Sequence, residues 1–310
     1  MVMTSRSFVQ QWGIFAPVSL FVIFPLTYVI GKLGFQFGPQ ILFIALRMFL
    51  SGGVLLAFYK YVKKGSCAFD RKDIPLFLQV AFFGIGAYIP EFWALKYVSV
   101  SKVALLFLSI PFFSALFEAY SATAAITRNK IIGLTIGLAG IFPLIIFGSS
   151  ENTFANFYGI TFPELVILLS AAGYSFGWVS VKKLVTERNY KGEFVNAVTM
   201  LLGGLLALVS SFFLEGWTGY NPPVTDWPAF LFYITMISAV GIICYSFYAF
   251  LLKYYSATMI AFSGFTEPFF AALYAWILLG ETVTVLFFVS LGIVSFGLYI
   301  FYKEELRLTV

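Results

Sequence analysis

The stretch LKYVSVSKVALLFLSIPFFSAL, residues 95–116, recurs with substitutions as LKYYSATMIAFSGFTEPFFAAL, residues 252–273. The two stretches align without a gap at a constant offset of 157 residues, and ten of their 22 positions are identical. Shared apolar composition raises this count, but the match also includes the polar residues that open each stretch. The chain is therefore predicted to contain an internal duplication.

The composition predicts an integral membrane protein. Of 310 residues, 61% are hydrophobic and 11% charged, and the mean hydropathy is +0.94, whereas soluble domains carry about a quarter charged residues. The apolar runs are long enough to cross a bilayer as helices and lack the alternation of an outer-membrane barrel. We predict an all-α fold with ten transmembrane helices. Their approximate spans are residues 13–31, 39–60, 74–94, 102–120, 130–148, 160–181, 195–214, 229–251, 256–279 and 283–302.

The distribution of basic residues predicts the orientation. Fifteen of the 19 Lys and Arg residues fall at or beyond the helix ends on one side, three (Lys32, Lys96 and Lys102) fall on the other, and Arg47 lies within a span. The side rich in Lys and Arg is the cytoplasmic one. Both termini are therefore predicted to be cytoplasmic in a multi-pass protein of the inner (plasma) membrane. This topology accounts for the net charge of +5, so no nucleic-acid partner is needed to explain it.

Residues 1–150 and 151–310 then each form one five-helix repeat. Because five is odd, the second repeat enters the membrane in the opposite orientation to the first. Such inverted repeats are typical of secondary transporters, which bind substrate near the midplane and expose it to each side in turn.

Several motifs resemble one transporter family. ALRMFLSGGVLL (45–56) after VIGKLG, ALKYVSVSKVAL (94–105) and TEPFFAALYAWILLGETVT (266–284) are similar to signatures of the EamA branch of the drug/metabolite transporter superfamily. The resemblance covers nearly the whole chain. It implies a ten-helix carrier of small organic metabolites with a central cavity lined mainly by the first four helices of each repeat. AYSATAAITRNK (119–130) departs from the family pattern, which has a Gly-Glu turn there like Gly280-Glu281.

Glu267 is the main candidate for a substrate or proton site. An ionised group at the bilayer centre is costly and normally faces a cavity or a partner. Glu267 shares a helix face with Ser263, and Pro268 removes a backbone donor and favours a kink. The alternative is a structural bond to a neighbouring helix. The residue at the equivalent position of the first repeat is Ile110, so the contacts of Glu267 are asymmetric.

Arg47 is the second deep charge. It can bind a substrate carboxylate or pair with a carboxylate such as Glu91, and the structural role is the stronger alternative. Lys32 and Lys102 are expected to snorkel to the outer face, and Glu118 and Glu164 to lie near water. Aromatic walls for a ring or a cation are expected from five residues, Tyr28, Trp93, Tyr174, Trp178 and Tyr248.

Enzyme chemistry is not supported. The chain has no histidine, which excludes His-based triads and His metal sites. It has no GxxxxGK[ST] loop, so it does not hydrolyse ATP through one. We expect no catalytic residues, no metal and no cofactor.

We infer the type of substrate from the few charged residues that lie deep within the predicted spans. Phosphorylated substrates need Arg and Lys clusters, whereas one carboxylate, one guanidinium and many aromatic residues fit a zwitterion or cation of amino-acid or S-adenosylmethionine type. The alternatives are a lipid or drug flippase and, from another class, a non-transporting membrane sensor or assembly subunit. Protons are a candidate coupling ion. The sequence leaves the substrate, the direction of transport and the oligomeric state open.

Overall fold

The computed structural model describes residues 15–68, 70–110, 112–113, 116–117, 127–147, 156–157, 160–219, 221–251 and 263–309. Regular structure in these residues is helical apart from one two-residue antiparallel hairpin, β1 (Asn156–Phe157) and β2 (Ile160–Thr161). The predicted all-α fold is therefore confirmed.

The helices are numbered here in chain order. They are α1 (Phe15–Ile23), α2 (Leu26–Gly34), α3 (Gln40–Ala57), α4 (Ile74–Gln79), α5 (Tyr88–Leu95), α6 (Val100–Phe107), α7 (Arg128–Phe147), α8 (Phe162–Lys182), α9 (Gly192–Leu214), α10 (Trp227–Leu251), α11 (Glu267–Leu279) and α12 (Val285–Thr309).

Six helical stretches of the described residues are long and apolar enough to cross a membrane. They are Phe15–Gly34, Gln40–Val62, Arg71–Leu95, Phe162–Val185, Gly192–Leu214 and Trp227–Tyr248. Two shorter apolar helices, Gly264–Leu279 and Val285–Phe301, follow. The chain is therefore a multi-span membrane protein.

Three predicted spans are not the continuous helices that were expected. The first is interrupted at Phe24 and Pro25, because proline has no N–H to continue the helical hydrogen bonds. The third contains a π-helical turn, Val80–Ile85, before α5. The fourth changes at Leu108 and Ser109 to bonds that span three residues, Leu108 N to Leu105 O and Ser109 N to Leu106 O.

Helix packing follows a regular set of pairs. The most extensive contacts join α3 to α9 and α7 to α12. Helices α1 and α2 pack against α10, helix α8 packs against α5 and the π-helical turn before it, and α6 packs against α11. The segments α2, α5, α6 and α11 thereby meet in the interior, which is where the polar residues of the next section lie.

Glycine allows the closest of these approaches, between α7 and α12. A Cβ atom built on Gly297 would collide with the backbone of Gly133 and Gly137. Backbone atoms cannot rotate away as a flexible side chain can. Small residues are the usual means by which membrane helices approach each other closely, so Gly297 is required by packing.

We expect Gly297→Ala to destabilise the protein by about 1–3 kcal/mol, because the added methyl group forces α7 and α12 apart. The measurement is the thermal unfolding temperature of the detergent-purified protein. Gly292→Ala is the matched control, since Gly292 lies on the same helix and no atom lies within 4 Å of a Cβ built there. Equal unfolding temperatures for the two variants would contradict this account of the packing.

Candidate functional site

Helix α11 begins at Glu267, directly after a 3-10 turn, Gly264–Thr266. Pro268 occupies the first turn of α11, and the Thr266 hydroxyl donates to Ser263 O at 2.8 Å. The helix is thus interrupted where Pro268 predicts. Glu267 is the first residue of α11, and its own N–H bonds to Gly264 O in the 3-10 turn. Its carboxylate lies near the N-terminal end of α11, where the helix dipole favours negative charge.

The break between α1 and α2 faces the break before α11. The Tyr274 hydroxyl of α11 donates to Val22 O at 2.9 Å, a carbonyl at the interrupted end of α1. One turn beyond Pro25, the Tyr28 hydroxyl donates to Glu267 Oε1 at 3.2 Å. Each of the two interrupted helices therefore donates a hydrogen bond to a polar group of the other.

A second carboxylate, that of Glu91 on α5, lies in the same region. The residue is 2% exposed, and the Tyr174 hydroxyl of α8 donates to its Oε2 at 2.6 Å. The ring of Phe107 lies between the two tyrosines that hold the carboxylates: its centroid is 6.4 Å from that of Tyr28 and 5.6 Å from that of Tyr174. One aromatic ring therefore joins the surroundings of Glu91 and Glu267.

Arg47 on α3 contributes a buried guanidinium. Its carbon Cζ lies 4.6 Å from the ring centroid of Tyr88 and 5.0 Å from that of Phe92, both on α5. Arg47 is 8% exposed. Within the described part of the chain, its guanidinium forms no ion pair with a carboxylate. It does interact electrostatically with Glu91 through space. Its hydrogen-bond donors are therefore not committed to a protein carboxylate there.

Tyr88 and Tyr245 complete the cluster. Their hydroxyl groups are 2.8 Å apart, and their positions differ by 157 residues, the offset of the sequence repeat. Tyr88 also packs edge-on against Tyr174, with ring centroids 4.9 Å apart. We call Tyr28, Arg47, Tyr88, Glu91, Phe107, Tyr174, Tyr245 and Glu267 the central cluster.

Only part of the predicted site joins this cluster. Tyr28, Arg47, Tyr174 and Glu267 belong to it. Ser263 is buried beside the break, and Tyr248 packs among the residues that join α1 to α10.

The two predicted tryptophans lie elsewhere. Trp93 packs against Tyr97 and Phe162, at centroid distances of 5.1 and 5.8 Å. Trp178 is 44% exposed. Trp93 lies on the opposite face of α5 from Glu91, two residues away. Trp178 lies on the same face of α8 as Tyr174 but one turn further along the helix, where it is exposed.

Sequence reasoning used Glu91 only as a partner for Arg47 and missed Tyr88, Phe107 and Tyr245. A usable signal was present for the two tyrosines, because the 157-residue offset places Tyr88 opposite Tyr245. No comparable signal identified Phe107 among 39 phenylalanines.

Two ion pairs lie at the end of the molecule where α2 ends and α6 begins. Lys32 Nζ is 2.6 Å from Glu281 Oε1, and the other oxygen of Glu281 accepts from Val100 N at 2.9 Å. Glu281 thus follows the left-handed Gly280 and binds the N-terminus of α6. This one turn connects α2, α6 and α11.

The second pair joins Lys102 to Glu164 and is buried. The Lys102 side chain is 9% exposed and that of Glu164 0%. Glu164 also accepts from Thr161 N at 2.7 Å. The expectations that Lys102 snorkels and that Glu164 lies near water were wrong, because the two side chains form an ion pair inside the protein. Glu118 and most of the departing segment 119–130 lie outside the described residues.

Interrupted helices around buried charged groups in a multi-span protein define a class, the membrane transport proteins. The chain belongs to the EamA-like transporter family, whose sequence model matches residues 11–146 and 161–303. A protein of Chlamydia muridarum named S-adenosylmethionine/S-adenosylhomocysteine transporter is 27% identical over 303 residues, which cover 94% of this chain and 93% of that protein.

Other relatives agree on the class. The uncharacterized inner membrane transporter YedA of Escherichia coli K12 is 23% identical over 288 residues, covering 90% of this chain and 87% of that protein. A solved crystal structure superimposes with a TM-score of 0.66 at 16% identity, covering 96% of this chain and 98% of that one. The last likeness establishes a shared fold.

We expect Lys102→Met to destabilise the protein by about 3–5 kcal/mol, because it leaves the Glu164 carboxylate buried without its counter-charge. The thermal unfolding temperature in detergent measures the effect. Lys96→Met is the control, since the exposed Lys96 lies in the preceding turn and surface changes usually cost at most about 0.5 kcal/mol. An unfolding temperature for Lys102→Met as high as that of the control would contradict the assignment of a buried pair.

Proposed function

We propose that this protein is a secondary transporter that moves a zwitterionic or cationic amino-acid-like metabolite of S-adenosylmethionine type by alternating access. The observation that carries the proposal is a buried cluster of one guanidinium and two carboxylates. Arg47 lies over the rings of Tyr88 and Phe92, which flank Glu91, and Glu91 and Glu267 each accept a hydrogen bond from a tyrosine. The name of the Chlamydia relative supports the same substrate type, because the two proteins align over nearly the whole length of both chains.

The chemistry of S-adenosylmethionine fits these groups. Its α-carboxylate matches the planar fork of a guanidinium, which binds carboxylates through two parallel hydrogen bonds. Its ammonium and sulfonium charges need carboxylates, and Glu91 and Glu267 supply two. Its adenine ring can stack on tyrosine or phenylalanine, of which the central cluster has five. A site with one cation, two anions and aromatic walls thus offers a partner for every part of this molecule.

We propose further that residues 1–150 and 151–310 are two inverted repeats of five helices each. Equivalent helices pack in equivalent pairs: α1 and α2 on α10 correspond to α8 on α5. The pairs α3 with α9, α6 with α11 and α7 with α12 each join a helix to its own counterpart. The match of the family model to two successive segments supports this division.

In this arrangement the Lys32–Glu281 and Lys102–Glu164 pairs lie on the outer face, if both termini are cytoplasmic in the plasma membrane. They join helices of both repeats at that face. Rocking of one repeat against the other would have to separate them when the site opens outward. The transport cycle is driven by exchange of substrates or by an ion gradient, with Glu267 as a candidate proton site.

Two alternatives have testable consequences. A lipid or drug flippase prefers hydrophobic cargo and tolerates loss of the Arg47 charge. A sensor or assembly subunit that kept the carrier fold produces no substrate flux.

The test is uptake of radiolabelled S-adenosylmethionine by proteoliposomes that contain the purified protein and are preloaded with S-adenosylhomocysteine. Uptake that depends on the protein and on the preloaded compound supports the proposal.

Arg47→Gln is expected to weaken S-adenosylmethionine binding about 10- to 100-fold, because one charge-assisted interaction with the substrate carboxylate is lost. The dissociation constant is measured by titration calorimetry in detergent.

The matched control is a ligand rather than a variant. The methyl ester of S-adenosylmethionine has no carboxylate charge, so Arg47→Gln should change its affinity far less. If the variant weakens the acid and the ester equally, the guanidinium supports the structure and does not bind the carboxylate.

A further inference from the structure

We propose that the two carboxylates of the central cluster have different tasks: Glu91 with Arg47 holds the amino-acid head group, and Glu267 holds the sulfonium charge. Glu267 is then the residue that distinguishes S-adenosylmethionine from S-adenosylhomocysteine. This inference rests on the function proposed above and adds a specificity-determining residue to it.

The placement of Arg47 selects Glu91 for the head group. An α-amino group and an α-carboxylate are attached to the same carbon atom, so their partners must be an acid and a base that lie close together. Arg47 lies over the rings of Tyr88 and Phe92, which flank Glu91 on α5. Tyr174 occupies Oε2 of Glu91, and its other oxygen can accept from an ammonium group.

Glu267 is connected to this pair through Phe107. Its partner Tyr28 stacks on Phe107 with an angle of 14° between the ring planes, and Phe107 also packs against Tyr174, the partner of Glu91. The methionine sulfur is separated from the α-carbon by two methylene groups. A substrate whose head group is held at Arg47 and Glu91 therefore places its sulfur farther along, toward Phe107 and Glu267.

The surroundings of Glu267 suit a sulfonium. A sulfonium has no N–H to donate, so it is stabilised by nearby negative charge and by the faces of aromatic rings. The Glu267 carboxylate and the stacked rings of Tyr28 and Phe107 supply both. An ammonium group requires acceptors at hydrogen-bond distance instead, which suits Oε1 of Glu91, because within the described residues the hydrogen bond to this carboxylate is made to Oε2.

The charges give a different prediction for each ligand. S-adenosylmethionine carries one more positive charge than S-adenosylhomocysteine, and the two share the amino-acid head group and the adenosine. A carboxylate that binds the sulfonium contributes only to the first ligand, whereas a carboxylate that binds the ammonium contributes to both. The ratio of the two affinities therefore separates the roles of Glu91 and Glu267.

The experiment measures dissociation constants for both ligands by titration calorimetry, on the purified full-length protein and its Glu267→Gln and Glu91→Gln variants. We expect Glu267→Gln to weaken S-adenosylmethionine about 10- to 100-fold and S-adenosylhomocysteine by less than about threefold. We expect Glu91→Gln to weaken both ligands by similar factors.

Two further variants guard against loss of structure. Glu267→Asp keeps the charge and should retain a preference for S-adenosylmethionine, even if its affinity falls. Glu187→Gln, an exposed position, should leave both constants unchanged.

The outcomes distinguish this inference from the proposed function. Equal loss of both ligands in Glu267→Gln, or a changed affinity ratio in Glu91→Gln alone, would overturn the division of tasks and leave a transporter of this substrate type. Failure of the wild-type protein to bind either ligand would overturn both proposals.

Discussion

Inside a bilayer there is no water to satisfy a backbone N–H or C=O group, so a spanning helix can be interrupted only where protein or an enclosed cavity takes over its hydrogen bonds. This chain interrupts helices at Pro25 and before Glu267. The two interruptions face each other, and Tyr274 and Tyr28 donate across the gap to Val22 O and Glu267. The breaks would be costly apart. Together they create a polar interior in which a carboxylate is tolerated.

In the arrangement of two repeats proposed above, the helices around these breaks correspond in pairs, but their charged residues do not. At the 157-residue offset Tyr88 corresponds to Tyr245, and the two hydroxyl groups meet. The charged residues have uncharged counterparts: Arg47 corresponds to Gly204, Glu91 to Tyr248 and Glu267 to Ile110. In that proposed arrangement, two corresponding repeats carry one set of charges, so the proposed binding site has one orientation. A substrate with distinct charged ends can therefore be held in one way only, which symmetric charges would not ensure.

Much of the helical architecture was predictable from the sequence, because hydropathy and the repeat offset are both read over many residues. The helical class and the six apolar stretches long enough to cross a membrane follow from hydropathy. The interruption before α11 follows from Pro268 alone, and the count of ten helices stays a prediction. The site was predictable only in part. Glu267 and Arg47 stood out as charges in apolar runs, but Trp178 was assigned to the wall of the site and is 44% exposed. In a chain with 20% aromatic residues, composition cannot say which rings face lipid and which face the interior. The rotation of each helix and the position of the residue along it decide that.

Helix α11 connects the central cluster to the end of the molecule where Lys32 and Glu281 form their ion pair. It has Glu267 at its N-terminus and, just beyond its C-terminus, Glu281, which binds Lys32 and Val100 N. Its 13 residues span about 20 Å. Helix α2 connects the same two places. Its Tyr28 binds Glu267, and its Lys32, one turn after Tyr28, binds Glu281. A shift of either helix at the site must therefore move the ion pair as well. A ligand can change the balance between open and closed forms only by binding one of them more tightly, and a substrate that contacts Glu267 acts on the same two rigid helices that hold the Lys32–Glu281 pair together.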